Sequence, residues 1–261
     1  MEGLIEIPII RLIPAYAFIL VLLLIVKQQE IGNEWEIVLA NIRMTIQLIA
    51  IGYILTYIFA NPSVVYSLLV LLVMQGFAIQ NAYARVNNKI SFSLKKIVAI
   101  AMFLGTSITI IYFIVIIINL QPWYQPQYFI PLSGMLIGNS MTGISLGIEG
   151  LINGMKDNQE MIENALMLGG KPELIIKDIS GRAFYNAILP TINSMMGMGI
   201  VFLPGMMTGQ ILAGAMPLTA IKYQLAIMLG ILASVTLTVY IMIKWGAKTF
   251  FNDRAQLKIE S

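Results

Sequence analysis

Cysteine and histidine are both missing from the 261 residues. Without cysteine there are no disulfides and no thiolate metal sites. Without histidine the commonest metal ligand and general base is gone. Charge is scarce too: Asp, Glu, Lys and Arg make up 11% of the chain against 58% apolar residues, a balance foreign to soluble domains of this length. The composition is that of an all-α integral membrane protein. Glu2 and Glu6 precede the first apolar run, the wrong sign for a signal peptide, so that run is expected to be retained. No Gly-x-x-x-x-Gly-Lys-Ser/Thr loop occurs, so no ATP is expected on this chain through such a loop, and any energy source must be a partner. No cofactor is expected in the chain, and no nucleic-acid partner.

What is there is apolar and periodic. Crossing the hydrocarbon takes about 20 apolar residues as helix. Seven runs qualify, at 9–26, 37–60, 64–83, 97–120, 128–151, 187–215 and 220–244. The distribution of Lys and Arg orients them N-outside, C-inside. Lys27, the Arg85/Lys89/Lys95/Lys96 cluster, the polar segment 153–186 and the tail residues Lys244, Lys248, Arg254 and Lys258 are then cytoplasmic. Of the 16 basic residues only Arg11 and Lys222 fall outside. With no soluble domain appended, 1–261 reads as a single transmembrane domain.

The segment 153–186 is the one long polar interruption. Its first half, 156–168, reads as an amphipathic helix with Asp157 as cap and Glu160 in the capping-box position. Met161, Ile162, Ala165, Leu166 and Leu168 share one face, while Glu163 lies mostly on the other. Gly169-Gly170 should end this helix and Pro172 should open the next. A helix, a glycine break and a second helix on the aqueous face form either a knob for a partner's groove or an interfacial helix among lipid headgroups.

Polar residues inside the spans mark the second region of interest. Arg43 is either a snorkelling anchor or a buried charge, with Glu149 as its candidate partner. The fifth run carries small-xxx-small pairs at Gly134/Gly138, Gly143/Gly147 and Gly150/Gly154, suited to close helix approach. The sixth should break at Pro204-Gly205 near mid-membrane, where irregular backbone is tolerated only inside protein or beside a cavity. Asn139, Ser140, Thr208 and Gln210 are expected to face a translocation path or a dimer axis, with Met206 and Met207 beside them. Thioethers select soft ions, but methionine also fills irregular cores, and filler is the favoured reading. No metal ligand set is assigned. Gly143-Ile-Ser-Leu-Gly147 matches the nucleophile-elbow pattern, yet no histidine exists and no lysine lies near Ser145 within a span, so an intramembrane hydrolase is set aside.

Ile130-Pro-Leu-Ser-Gly-Met-Leu-Ile-Gly-Asn-Ser-Met141 and Phe202-Leu-Pro-Gly-Met-Met-Thr-Gly-Gln-Ile-Leu-Ala-Gly214, with Arg43-Met-Thr-Ile-Gln-Leu48, resemble the FetB-type iron-export permease family of ABC transporters. Glu163-Asn-Ala-Leu-Met-Leu-Gly169 is also similar to the coupling motif of ABC importers, departing from it at Asn164. The resemblance implies a permease subunit and not an enzyme, multi-pass in the bacterial cell (inner) membrane, exporting iron or a related metal. A separate ABC ATPase would bind the ATP and dock on Met161, Ile162, Glu163, Ala165, Leu166, Gly169 and Gly170. A homodimer is expected, because one pore needs two halves. The alternative is an ATP-independent channel or secondary carrier for a small solute.

Overall fold

Chain immersed in lipid must satisfy each amide internally, so its apolar runs become helices. The computed structural model describes residues 8–30, 32, 34–86, 90–252 and 254–258. Glu2, Glu6 and Lys89 lie outside the described residues. The helices are α1 (Ala17–Gln28), entered through a 3₁₀ stretch at Ile9–Tyr16, then α2 (Glu34–Ala60) and α3 (Val64–Ala84). Next come α4 (Phe92–Tyr112), continued by a π turn at Phe113–Ile117, and α5 (Pro126–Asp157). The short α6 (Gln159–Met167) and α7 (Pro172–Ile175) precede α8 (Lys177–Gly197), α9 (Gly205–Leu212) and α10 (Pro217–Gly246). Among the described residues there is no strand, only isolated bridges at Met198–Phe202 and Phe251–Leu257.

Among the described residues six helical stretches are long and apolar enough to cross a membrane: Ile10–Gln28, Glu34–Ala60, Val64–Ala84, Phe92–Ile117, Pro126–Asp157 and Pro217–Phe250. They correspond to six of the seven expected runs. The remaining run, 187–215, is not one helix. It divides into the end of α8 and the whole of α9, and the non-helical stretch between them starts at Met198, earlier than the expected break at Pro204-Gly205. Met198 is extended (φ −69°, ψ 135°) and ends α8, and Gly199 then takes φ +83°, a left-handed conformation that L side chains rarely adopt. The loop closes on itself, the Val201 amide donating to Gly197 O at 2.9 Å and the Gly199 amide to Phe202 O at 2.9 Å. Pro204, which has no amide hydrogen to offer, directly precedes α9.

By Cα proximity the chain divides into two units, Met1–Pro62 with Leu212–Gly214, and Ser63–Ile211 with Ala215–Ser261. In the first, Tyr16 Oη and Thr45 Oγ1 share a 2.6 Å hydrogen bond between α1 and α2. No residue in the most apolar window of α2 is buried.

In the second unit α5 is central, touching α3, α4, α8 and α10. Lipid tails are as apolar as leucine, so helices associate in a membrane through close packing rather than through escape from water. The glycines of α5 permit that packing. Gly143 and Gly147 face Val235, Val239 and Met242 of α10, and a Cβ on Gly150 would lie 3.3 Å from the Ala183 Cα of α8. Ile144, Ile148, Leu151 and Met155 are fully buried along the same helix. Polar ties pin the bundle: Ser140 Oγ meets Ser234 Oγ at 2.8 Å, and Gln75 Nε2 donates to Thr106 Oγ1 at 3.1 Å.

The polar segment departs from expectation at its start. Helix α5 continues to Asp157, so Asp157 caps nothing, and Asn158 separates α5 from α6. Asn158 itself serves the end of α5, its Nδ2 donating to Gly154 O at 2.8 Å. The other end of α6 is as expected. Gly169 takes φ +84°, its amide donates to Leu166 O at 2.9 Å, and the Gly170 amide donates to Ala165 O at 3.0 Å. This is a complete Schellman closure. Pro172 then opens α7.

Candidate functional site

The break between α8 and α9 borders a cavity of about 370 Å³. Helix α5 contributes Met135, Asn139 and Thr142, and α8 contributes Pro190, Thr191 and Ser194. Met198 and Phe202 come from the break, Met206 from α9, and Gln224 and Met228 from α10. Among the described residues no charged side chain lines it. Several polar groups donate to their own helix one turn back: Asn139 Nδ2 to Met135 O at 2.8 Å, and Ser194 Oγ to Pro190 O at 2.9 Å. Thr142 Oγ1 donates more loosely to Gly138 O, at 3.4 Å.

Gln224 is the group the sequence reading missed. It is only 7% exposed, and its Nε2 donates weakly to Met198 Sδ at 3.8 Å. Its Oε1 is buried with no hydrogen-bond partner among the described residues. Leaving such an acceptor unsatisfied costs about 1–3 kcal/mol. Gln75 Oε1, Ser133 Oγ, Gln210 Oε1 and Thr238 Oγ1 are likewise buried without a partner among the described residues, and a lone amide in an apolar helix was the only signal of Gln224 in the sequence.

The structure separates the residues expected along a path. Asn139, Met206, Pro204 and Gly205 do line the cavity. Ser140 does not: it is fully buried and bonded to Ser234. Met207 is buried outside the lining, and Thr208 Oγ1 donates to Pro204 O at 3.1 Å, tying α9 to the break. Gln210 is half-buried, its Oε1 without a partner among the described residues. Arg43 belongs to the first unit, exposed on α2, and Glu149 to the second, half-buried on α5. Ser145 is buried and donates to Met141 O at 2.8 Å, as an ordinary helical serine does. Among the described residues no group of three or more His, Cys, Asp or Glu side chains could hold a metal ion.

The α6–α7 hairpin is a second feature. Ile162 is fully buried, and Glu163, Ala165 and Leu166 are half-buried, with Glu163 Oε1 accepting from Gln159 Nε2 at 2.8 Å. The apolar surface that does reach solvent comprises Met161, Met167 (78% exposed), Leu168 (90%) and Leu174 (70%). The C-terminal turn lies alongside, so that Arg254, Gln256 and Leu257 share a groove with Glu163, Leu166 and Gly169. Asn252 shapes that turn, its Oδ1 accepting from the Arg254 amide at 3.0 Å and the Gln256 amide at 2.9 Å. Lys248 Nζ sits 3.4 Å from Glu173 Oε1, an exposed pair that adds little stability.

The model of a family described as Uncharacterised protein family (UPF0014) matches residues 9–251, nearly the whole chain. The chain belongs to the UPF0014 family. It is 37% identical over 237 residues to a UPF0014 membrane protein of Synechocystis, covering 90% of each chain. It is 36% identical over 241 residues to the UPF0014 membrane protein YjkA of Bacillus subtilis, covering 92% of this chain and 94% of the other. With the protein named Probable iron export permease protein FetB, from Escherichia coli, it shares 32% identity over 249 residues, covering 94% of this chain and 93% of FetB. No solved structure matches it significantly. The family resemblance read from 130–141 and 202–214 is therefore borne out. The apolar helices and the UPF0014 relatives together make this a membrane protein.

Proposed function

We propose that this UPF0014 protein is the permease subunit of an ABC transporter exporting iron or a related metal. A separate subunit binds and hydrolyses the ATP, and two copies of the permease face each other to complete one pore. The observation that carries the reading is the cavity at the interrupted α8–α9 crossing, lined by neutral polar side chains from α5, α8 and α10. Transporters build cargo sites beside broken helices because the freed backbone and neutral polar groups can solvate a passenger. The export and iron assignments lean on the name of the FetB relative. The ATPase assignment leans on the exposed apolar residues of the Schellman-closed α6–α7 hairpin, shaped to enter a partner's groove.

In this reading α8 and α9 together make the sixth of seven crossings, in an N-outside, C-inside arrangement in the bacterial inner membrane. The cysteine-free chain allows a direct check. A single cysteine at Asp157 should resist impermeant maleimide added to intact cells, while one at Gln125 should react. Outer labelling at Asp157 would reverse the orientation.

The function is tested by reconstitution. The tagged permease should draw a P-loop ATPase from its native membrane, and vesicles holding both should accumulate metal only with ATP. Metal passage at full rate without ATP would make the protein a channel or secondary carrier instead.

A further inference from the structure

The cavity's described walls are neutral, so a cation reaching it from water exchanges hydration for dipoles alone. A negative charge along the approach would offset part of that cost and raise the local cation concentration. The spans offer few such charges. Across the four long helical stretches of the second unit, Val64–Ala84, Phe92–Ile117, Pro126–Asp157 and Pro217–Phe250, the acidic side chains are Glu149 and, at the very end of α5, Asp157.

The position of Glu149 follows from how α5 meets α8. The two helices run antiparallel: a Cβ on Gly147 would lie 3.5 Å from the Ala187 Cβ, and one on Gly150 would lie 3.3 Å from the Ala183 Cα. Beside those contacts each helix carries a row of side chains that stay wholly or partly exposed. On α5 the row is Thr142, Leu146, Glu149 and Asn153, whose spacing keeps them on one face. On α8 it is Pro190, Asn186 and Arg182. Thr142 and Pro190 also line the cavity, so the two rows flank one seam that leaves the cavity toward the Asp157 end of α5. Glu149 stands half-buried on that seam, about 10 Å along the helix from Thr142.

We infer that this seam is a water-filled route into the cavity and that the Glu149 carboxylate is its charge filter, admitting cations over anions. The inference rests on the cavity being the cargo site, and it gives the proposed metal cargo its way in. Half-burial suits the role. A fully exposed carboxylate would have its field screened by salt, and a fully buried one would have to shed its charge or take a partner. Carboxylate oxygen is also a ligand that ferrous iron accepts. The rival arrangement is an ion pair with Arg182, which the approach of Gly150 to Ala183 brings to the same level. Such a pair would cancel the field and leave the seam without charge preference.

The absence of cysteine supplies the test. The full-length chain carrying Thr142→Cys, in lipid nanodiscs at low ionic strength, is reacted with a cationic trimethylammonium-ethyl methanethiosulfonate and with its anionic sulfonatoethyl counterpart. Each rate is divided by the same reagent's rate with a free thiol. For unit charges about 10 Å apart in water, attraction and repulsion differ by about 4-fold, so the cationic reagent should be favoured by at least that factor. Glu149→Gln on the same background should erase the preference, Glu149→Asp should keep it, and Glu160→Gln, on α6, should leave it unchanged. If Thr142→Cys fails to assemble, Ser194→Cys reports from the opposite wall. A cavity thiol that neither reagent reaches would overturn the water-filled route. Equal normalised rates, or a preference that survives Glu149→Gln, would overturn the filter. ATP-driven metal transport by a chain with no charge preference would count against this inference alone. A charge preference without ATP-driven transport would count against the transporter reading alone.

Discussion

If a separate ATPase docks on α6 and α7 as proposed, the chain carrying Leu168→Asp and Leu174→Asp should stay folded in the membrane and lose that partner. These side chains are 90% and 70% exposed, so the chain's own packing gains little from either, and removing them should not disturb the bundle. Burial of one such side chain in a partner's groove is worth about 1.5–3 kcal/mol. Two together amount to roughly 3–6 kcal/mol, or about 10²–10⁴ in affinity before the desolvation of the new carboxylates is counted. A wet rim contact, such as Glu163 with a basic residue of the partner, contributes about 0.2–1 kcal/mol. Apolar contact should therefore set affinity, with Glu163 setting register. Leu166 is a poorer probe because it is half-buried in the permease itself, and a charge there would confound docking with folding. Co-purification with the ATPase is the measurement. If the double variant captures the ATPase as well as the parent does, α6 and α7 lie among the lipid headgroups instead.

The largest effect on stability should come from one methyl group. Gly105 on α4 faces α10 so closely that a Cβ would lie 2.8 Å from the Thr238 Cα and 2.9 Å from its amide nitrogen. A flexible side chain could move aside, but helical backbone cannot, so Gly105→Ala should force the two helices apart. Overpacking of this kind costs about 1–3 kcal/mol and at times more. The buried contacts around Val98, Met102 and Val235 would loosen with it. Thermal unfolding in detergent should show a clear fall in midpoint. Gly76→Ala, where nothing lies within 4 Å of the added carbon, should melt with the parent. Identical melting of both variants would mean that α4 and α10 do not meet at Gly105.

Hydropathy made six spans legible because their apolar runs exceed the thickness of the bilayer core. In the run 187–215 the same measure found apolar residues without showing where the helix is interrupted. Ile200 and Val201 look like membrane helix, yet they occupy a loop, and the decisive signal was Gly197-Met-Gly199 rather than Pro204 alone. Local chemistry was readable where it is settled locally. Gly169-Gly170 closes α6 as expected, since a left-handed residue after a helix favours glycine wherever it occurs. Asp157 failed as a cap because α5 runs on through it, an extension that no local signal in the polar segment announced. Polar residues within helices were visible without their destinations. Asn139 and Ser140 are neighbours in sequence, but a turn of about 100° per residue sends one to the cavity and the other to Ser234. Gln224 had no motif to announce it, because its significance lies in an oxygen that packing isolates.

Helix α8 runs 21 residues from Lys177, just beyond α7, to Gly197 at the cavity wall. At 1.5 Å per residue it is a rod roughly 30 Å long. Ile179 and Ala183 hold its N-terminal half against α5, close enough to Gly154 and Gly150 to act as a fulcrum. A rotation of about 10° about that point would swing the Ser194 end by roughly 3 Å, from the same helical rise. That displacement is comparable to the radius of a hydrated ion's inner shell, so a small torque on the hairpin would be geared up into a change of bore at the cavity. The glycines of α5 would then be a bearing surface, and replacing Gly150 by a bulkier residue would stiffen the rod without altering the cavity's own lining.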